Sequence, residues 1–311
     1  KRLHEILESI EVSPEVYEIG KSMQAEILTE VNERIDRHIR KRLFYRISAV
    51  AACISSLIII SLFFYNPHGG SEYKNELLSE LESTSIDVND VHIVSGTNQK
   101  KINNEEIITQ TEKGDIILGK DEKIESAELK SEYITIVVPK GKRSSIKFSD
   151  GSVAWINSGS KLIYPKVFTQ KTRDIFLDGE IYIDVAPNKE KPFYVHTKKF
   201  DINVLGTQFN VNAYSEDTSN SVILVKGSVS IDAGNHKKEL LPNQGFFNDN
   251  DNIIIKNVDV YSFICWRNGI LKLDNEPFNS ILKKLSRYYG INIELSQHLN
   301  NIRFDGSLDL R

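Results

Sequence analysis

SSIKFSDGSVAWINSGSKLIYP, residues 144–165, alternates apolar and polar residues in short runs, which is typical of half-buried β-strands. Asp150–Gly151 interrupts these runs with the residue types of a tight hairpin turn, because glycine accepts a positive φ. Similar runs extend on both sides, and Asp178–Gly179 has the same turn chemistry. Turn signals recur at short spacing and no long helix intervenes. The pattern therefore predicts a mainly β domain over residues 131–258, an antiparallel sandwich-like or stacked β structure.

Within this β region, VLGTQFNV (residues 204–211) reads as one strand with Gly206–Thr207 at its centre. Glycine weakens a strand, so its presence there needs a reason. One reading is a bulge or a close packing contact at Gly206, with Thr207 serving as an ordinary β-former.

Residues 259–311 predict a small α+β module of the order β-α-β-β. ILKLDN is its first strand, and EPFNSILKKLSRYYG is an amphipathic helix with Pro277 near its start and Gly290 at its end. INIELS and IRFDGSLDL are the two following strands. Ahead of the β domain, residues 66–130 predict a polar linker with a short helix in SEYKNELLSELES and short strands in DVHIVSG and GDIILG.

ISAVAACISSLIIISLFFY, residues 47–65, carries no charge and is long enough as a helix, at about 29 Å, to cross the hydrocarbon core of a bilayer. It follows a long polar segment, which does not fit a cleaved signal peptide. Basic residues outnumber acidic ones just before it; they are Arg34, Arg37, Arg40, Lys41, Arg42 and Arg46. The positive-inside rule then predicts a single-pass protein with residues 1–46 in the cytoplasm and residues 66–311 across the membrane.

The tail, residues 1–46, predicts two helices whose apolar stripe is too large for so small a piece to bury alone. The stripe contains Leu3, Leu7, Ile10, Ile27, Val31, Ile35 and Ile39. Three interpretations stay open: two tails pair with each other, a cytosolic protein docks on the stripe, or its end near Ile39 and Leu43 lies on the bilayer surface.

The rest of the chain offers little catalytic chemistry. The formal net charge is −4 for 311 residues, so no large basic excess points to nucleic acid. The histidines are scattered and the two cysteines lie far apart, which argues against a zinc site or a disulfide. Asp178, Glu180 and Asp184 alternate along one strand. Two such carboxylates could form the acid pair of a glycosidase, but the alternation is more typical of the solvated face of a strand. We therefore expect no enzyme, no cofactor and no metal.

Several elements in order resemble the FecR family of membrane anti-sigma factors. They are VPKGKRSSIKFSDGSVAWINSGSKLIYP, LDGEIYIDVAPNKEKPFYVHT, INVLGTQFNVNAY, VILVKGSVSI, LLPNQGFF and, containing Trp266, CWRNGILKLDNEPFNSILKKLSRYYGINIEL. Together they cover roughly residues 134–306. The predicted topology, a single membrane span with a short cytoplasmic tail and a large part on the other side of the membrane, is also that of the family.

The resemblance implies signalling across a Gram-negative envelope from the inner membrane. The tail of such a protein binds an extracytoplasmic-function (ECF) sigma factor, so the stripe residues become candidate contacts. The periplasmic part receives the signalling domain of a TonB-dependent outer-membrane transporter. The module after Trp266 is similar to the secretin and TonB short N-terminal fold, and its candidate docking residues are Phe278, Tyr288, Tyr289, Ile291 and Ile293. It ends earlier than in relatives, which suggests either a truncated chain or a minimal fold.

Some members of that family cut themselves at a Gly-Thr bond, which corresponds to Gly206–Thr207. The hydroxyl of a threonine can attack the preceding carbonyl and convert the amide into an ester that water opens more easily. Close packing of Gly206 remains the alternative.

A different class of function is a membrane-anchored periplasmic module that binds a glycan or siderophore. Such a module would need an exposed aromatic platform, for which Trp155, Tyr164 and Tyr182 are the candidates.

Overall fold

The computed structural model describes residues 69–83, 89–103, 106–119, 122–168, 171–234, 236–250, 252–293 and 302–311. The predicted tail, its stripe and the predicted span at residues 47–65 lie outside the described residues. Within the described part of the chain, no helix has the length and apolar character needed to cross a membrane. Ser71–Arg311 form one structural unit.

Eighteen strands form one curled sheet. They are β1 (Val91–Ser95), β2 (Asn98–Ile102), β3 (Ile107–Gln110), β4 (Ile116–Leu118), β5 (Glu122–Ile124), β6 (Tyr133–Val138), β7 (Ser144–Lys147), β8 (Val153–Ile156), β9 (Ser160–Pro165), β10 (Arg173–Asp184), β11 (Phe193–His196), β12 (Asp201–Val204), β13 (Gln208–Ala213), β14 (Ser219–Lys226), β15 (Val229–Ala233), β16 (His236–Leu240), β17 (Gln244–Asp249) and β18 (Asn252–Asn257).

The sheet has two halves that share the long strand β10. The first half runs β2-β1-β6-β9-β10-β11-β12-β15-β16. The second runs β5-β4-β3-β7-β8-β10-β13-β14-β17-β18. All of these pairs are antiparallel except β10–β11 and β3–β7. The predicted mainly β architecture is therefore confirmed as a curled, largely antiparallel sheet.

Asp178–Gly179 was expected to form a hairpin turn, and that prediction is wrong. Both residues lie inside β10, where the strand leaves its pairing with β9 and begins to pair with β13. Gly179 has φ +137°, and a Cβ there would lie 2.6 Å from Ser160 Cα. Glycine is needed because two chains meet closely at the bend. Asp150–Gly151 does form a turn, between β7 and β8.

VLGTQFNV is likewise not a single strand. β12 ends at Val204 in the first half of the sheet, and β13 starts at Gln208 in the second. Gly206–Thr207 therefore lies in the connection that carries the chain from one half to the other. The prediction failed because both flanking runs are strands with the same apolar alternation, and the sequence pattern does not report the change of partner.

The core lies between the two halves and consists mainly of isoleucine, valine, leucine and phenylalanine from both. Alternate residues of β10 point into it; they are Ile175, Leu177, Ile181 and Ile183. Burying each such side chain contributes about 1.5–3 kcal/mol relative to leaving it exposed. Arg173 has the same inward position in β10 and is only 1% exposed.

Five short helical segments and a two-stranded sheet complete the described residues. They are α1 (Gly69–Ser83), the 3₁₀ helices η1 (Ser126–Glu128) and η2 (Cys265–Asn268), α2 (Tyr261–Ile264), α3 (Phe278–Tyr289), and the antiparallel pair β19 (Ile270–Pro277) and β20 (Arg303–Asp309). Helix α1 matches the helix predicted in SEYKNELLSELES. The strand predicted for INIELS is wrong for residues 291–293, which have no strand structure, and its other residues lie outside the described residues.

Candidate interaction surface

The C-terminal module (described residues 259–293 and 302–311) folds around the amphipathic helix α3. Pro277 is its N-cap residue, and Gly290 ends it in the left-handed conformation with φ 67°, as their positions in the sequence predict. Ile281 is buried against Leu271 and Leu273 of β19. The module therefore has an apolar core of its own, which is small.

The predicted docking residues do not share one surface. Tyr289 and Ile291 are exposed, and Ile293 is half-buried. Phe278 is half-buried and its ring lies 5.2 Å from that of Phe304. Tyr288 instead faces the β domain. These residues thus divide between the module's outer face and its contact with the sheet.

Strand β20 adds exposed apolar side chains that the sequence-based selection of docking residues missed. Every residue of β20 is exposed, including Phe304 and Leu308, and Ile302 precedes them. β20 pairs with β19, and its second edge has no partner among the described strands. An open edge offers backbone N–H and C=O groups to a strand from another protein. The alternation in IRFDGSLDL was the available signal for such a strand.

Arg287 attaches the module to the β domain. Its Nη2 lies 2.7 Å from Glu216 Oε1 and 2.8 Å from Asp217 Oδ2. Its guanidinium stands 3.7 Å from the centroid of the Tyr214 ring. Burial disfavours the charged form of Asp217, but the hydrogen bonds and positive charges of Arg287 and Lys283 together outweigh this and lower the pKa of Asp217. Both charges are therefore held in the ionised state at the contact.

A second contact surrounds Arg143, on the loop before β7. Its Nη1 donates to the Trp266 carbonyl at 2.9 Å, and its guanidinium lies 5.0 Å from the centroid of Tyr288. Nearby, the Gly141 amide donates to the Arg287 carbonyl at 2.7 Å. A side chain on Gly290 would lie 3.0 Å from the Lys140 carbonyl oxygen, so the two backbones are in close contact. The module is thus seated on the β domain by backbone and side chain.

Trp266 connects the module to a carboxylate in β10. Its Nε1 donates to Asn210 Oδ1 at 3.0 Å, and Asn210 Nδ2 donates to Glu180 Oε1 at 3.0 Å. Asn157 Nδ2 donates to the other oxygen of Glu180 at 2.8 Å. Burial raises the pKa of Glu180, although these hydrogen bonds oppose the shift. Glu180 is half-buried and satisfied by amides, which corrects the expectation of a solvated strand face.

The three aromatic residues considered for a ligand platform do not form an exposed surface. Tyr164 and Tyr182 are buried, and Trp155 is half-buried. The guanidinium of Arg267 covers both Tyr182, at 3.7 Å from its centroid, and Trp155, at 5.4 Å. Trp155 and Tyr182 therefore serve the contact with the C-terminal module, whereas Tyr164 belongs to the core of the sheet.

Neighbouring residues pack tightly around Gly206–Thr207. A Cβ on Gly206 would lie 2.7 Å from the Cα of Pro187, so close packing excludes a side chain there. Thr207 is buried, and its hydroxyl donates to the Ser228 carbonyl at 2.9 Å. Gly227 approaches from the other side, where a Cβ would lie 3.0 Å from the Gly206 carbonyl oxygen. Close packing therefore requires glycine at position 206.

Helix α1 lies on the first half of the sheet beside a charged cluster. Its Leu77 and Leu81 are buried with Ile163 and Phe176. Lys74 Nζ on the same helix donates to Asp201 Oδ2 at 2.6 Å. Apolar and ionic contacts together hold this helix on the sheet.

His196 connects that helix contact to β10. Its Nδ1 lies 2.9 Å from Asp201 Oδ1 and its Nε2 lies 2.9 Å from Asp174 Oδ1. Only the imidazolium can donate at both nitrogens. Burial disfavours this cation, yet the hydrogen bonds that His196 donates to Asp174 and Asp201, together with the negative charges of these carboxylates, outweigh burial and raise the pKa of His196. Sequence reasoning missed the cluster because its members lie on three separate elements.

The stability of the protein is expected to fall as the pH rises through the pKa of His196. Because the folded-state pKa is above the ordinary value, the contribution of His196 is full below about pH 6.5 and is lost above the folded value. Asp201 has the opposite sign: its lowered pKa makes a contribution that is lost in acid. Thermal unfolding between pH 2 and pH 9 measures both, because the loss from Asp201 begins only below about pH 4.

The matched control for this pH dependence is a second histidine. His196→Gln should remove the loss of stability on the alkaline side, whereas His236→Gln, at an exposed position of β16, should leave it in place. Equal profiles for wild type and His196→Gln would contradict the assignment.

Metal chemistry has no candidate residues in the part of the chain that the structure describes. No group of three or more His, Cys, Asp or Glu side chains is placed there to hold an ion. Cys265 is buried and free. The candidate site in the described residues therefore consists of an exposed surface on the C-terminal module and the contacts that join this module to the β domain.

Comparison with known proteins gives a consistent result. Residues 134–230 match the family described as FecR protein, and residues 270–311 match the family described as FecR, C-terminal. Two crystal structures of a candidate anti-sigma factor from Parabacteroides distasonis are similar at 32% identity. They cover 58% and 57% of this chain and 85% of their own, with TM-scores of 0.56 and 0.55. No curated protein matches.

Proposed function

The chain belongs to the FecR family of anti-sigma factors, and from this we propose that it regulates an ECF sigma factor from the inner membrane. Residues 47–65 span the membrane once and leave residues 1–46 in the cytoplasm. The tail sequesters the sigma factor and thereby controls transcription of uptake genes. The chain contacts no nucleic acid itself.

The observation that carries the signalling part of this proposal is the open edge of β20. The C-terminal module is seated on the β domain and presents Phe304 and Leu308 outward. We assign this face, together with the exposed side chains of Tyr289 and Ile291, to the signalling domain of a TonB-dependent outer-membrane transporter. That domain adds a strand to β20, and the apolar side chains provide the contact area. Tyr288 instead contacts Arg143 of the β domain.

On the cytoplasmic side, the sigma factor covers the apolar stripe of the tail. An amphipathic helix that lays its apolar face in a partner's groove gains the burial that the tail cannot provide alone. The contact residues are Leu3, Leu7, Ile10, Ile27, Val31, Ile35 and Ile39.

Ile35→Asp is expected to abolish recovery of the sigma factor in a pull-down with the full-length protein in detergent. A carboxylate in the middle of the stripe would have to be desolvated in the bound state, which costs several kcal/mol. Thr29→Asp, which adds the same charge about 120° around the helix from Ile35 and off the stripe, should leave recovery unchanged. Equal recovery with Ile35→Asp and wild type would rule the stripe out as the contact.

We also propose that the chain cleaves itself between Gly206 and Thr207. The Thr207 hydroxyl oxygen attacks the Gly206 carbonyl carbon, the amide C–N bond breaks, and an ester forms while the Thr207 nitrogen becomes a free amine. Water then opens the ester and leaves a carboxylate on Gly206 and the hydroxyl on Thr207. The flanking strands β12 and β13 are each paired on both sides, so the fragments stay associated.

Denaturing electrophoresis of purified protein tests the cleavage. Wild type should yield two fragments divided after Gly206, Thr207→Ala should stay intact, and Thr207→Ser should still cleave because it keeps a hydroxyl. A single full-length band for wild type would show that Gly206 serves packing alone.

A further inference from the structure

The four outer edges of the curled sheet are not alike. β2 carries Lys100 and Lys101, β5 carries Glu122 and Lys123, and β16 carries two lysines and a glutamate. Charged side chains on an edge strand discourage pairing with another chain. The remaining edge, β18, has the sequence NIIIKN and holds one charge. Among the described strands it pairs only with β17, so its other side has free backbone groups.

The isoleucines of β18 are accessible. Ile254 is 51% exposed and Ile255 is 36% exposed, whereas Ile253 packs partly against the core. Ile254 stands opposite Phe247 of β17, whose ring lies 5.8 Å from that of Phe263. β18 is thus an open edge beside an apolar patch, and its free hydrogen-bonding groups specify an extended strand as the occupant.

We propose that this occupant is β18 of a second copy of the chain, paired antiparallel about a two-fold axis through Ile254. In this register Ile254 faces its own copy, Ile253 faces Ile255 of the second copy, and Asn252 faces Lys256 of the second copy. Opposite residues of an antiparallel pair keep their side chains on the same face of the sheet. The register meets that condition at every position and places no like charges opposite each other.

Neighbouring registers are less favourable. A shift by one residue pairs side chains from opposite faces, which breaks the continuity of the sheet surface. An axis through Lys256 would place the two ammonium groups together, and an axis through Ile255 would set Lys256 against Ile254. An axis through Ile254 alone pairs all three isoleucines with isoleucines. It also forms a continuous outer row of Phe247, Ile254 and the same two residues of the second copy.

Disulfide cross-linking of the full-length protein in detergent tests the proposal. In a Cys53→Ala background, Ile254→Cys should give a disulfide-linked dimer on mild oxidation, because the axis brings the two thiols together. Leu241→Cys, at a position that is 66% exposed, is the matched control and should stay monomeric. A monomeric Ile254→Cys, or equal dimer yields at the two positions, would overturn the proposal.

A charge on the edge gives an independent measurement. Ile254→Lys should weaken self-association at least tenfold in analytical ultracentrifugation, while its circular dichroism spectrum stays that of wild type because the side chain is exposed in the single chain. Unchanged self-association would show that copies of the chain meet through another surface, and the β18 pairing would be wrong. Neither experiment depends on binding of a sigma factor, so the proposal stands or falls separately from the regulatory function.

Discussion

Arg173→Met is expected to lower the free energy of unfolding by about 3–5 kcal/mol, which is what removing one partner of a buried ion pair costs. Arg173 lies at the inward start of β10, and its Nη1 is 2.6 Å from Asp150 Oδ2 and 2.8 Å from the Ala186 carbonyl. Its Nε donates to the Lys191 carbonyl at 2.8 Å. Methionine fills the volume but satisfies none of these acceptors, so the loss is electrostatic.

Asp150 explains why the effect should be large. It also accepts hydrogen bonds from the amide of Ser152 at 2.9 Å and from its hydroxyl at 2.7 Å. The Ser152 hydroxyl in turn accepts from the Ala186 amide at 2.9 Å. Arg173 therefore joins the turn after β7 to the end of β10, and its removal leaves a desolvated carboxylate at the centre of that junction.

Urea denaturation measures this loss, and Lys147→Met provides the control. Lys147 is exposed at the end of β7, so its replacement should change stability by less than about 0.5 kcal/mol. If Arg173→Met costs no more than this control, the cluster contributes nothing to stability. A double-mutant cycle with Asp150→Asn separates the Arg173–Asp150 pair from the two carbonyl contacts.

Arg173 also shows what the sequence could and could not provide. In RDIFLDGEIYID, Arg173 lies two residues before Ile175 and four before Leu177, so it is on the same face of the strand. The alternation therefore already placed a charged residue at an inward position. The partner that makes such burial tolerable comes from a turn more than twenty residues earlier, and no local pattern reports it. Alternation predicts which residues of a strand face inward, whereas pairing is decided by packing over the whole chain.

The connections show the same division. Asp150–Gly151 and Asp178–Gly179 have the same residue types, yet one is a turn and the other a bend inside β10. Close approach of Ser160 determines the second case, and this contact is non-local. By contrast, Pro277 and Gly290 predicted the ends of α3 because helix ends depend on local backbone groups.

The interaction surface was predictable only in part, for the same physical reason. Tyr289 and Ile291 were selected from the sequence and are exposed, but Tyr288 beside them faces the β domain. Neighbouring residues at a helix end point in different directions. Which of them faces outward depends on where the module sits, and contacts such as that between Arg287 and Asp217 fix its position.

Arg287→Met is expected to detach the C-terminal module from the β domain, at a cost of about 3 kcal/mol. Arg287 is buried, and its loss would leave Asp217 without its guanidinium partner and Tyr214 without the cation above its ring. The remaining pair of Asp217 with Lys283, at 3.2 Å, is more exposed and is worth under about 1 kcal/mol. It cannot replace the lost contact.

Tryptophan fluorescence reports this detachment directly, because both tryptophans of the chain lie at the contact. Trp266 donates to Asn210, and Trp155 lies under Arg267. Arg287→Met should shift their emission to longer wavelength under native conditions and produce a separate low-temperature unfolding step for the module. Lys283→Met, which removes the exposed pair only, should leave emission unchanged. Wild-type emission from Arg287→Met would mean that the backbone contacts at Gly141 and Gly290 suffice to seat the module, and that a signal received at β20 reaches the sheet through them.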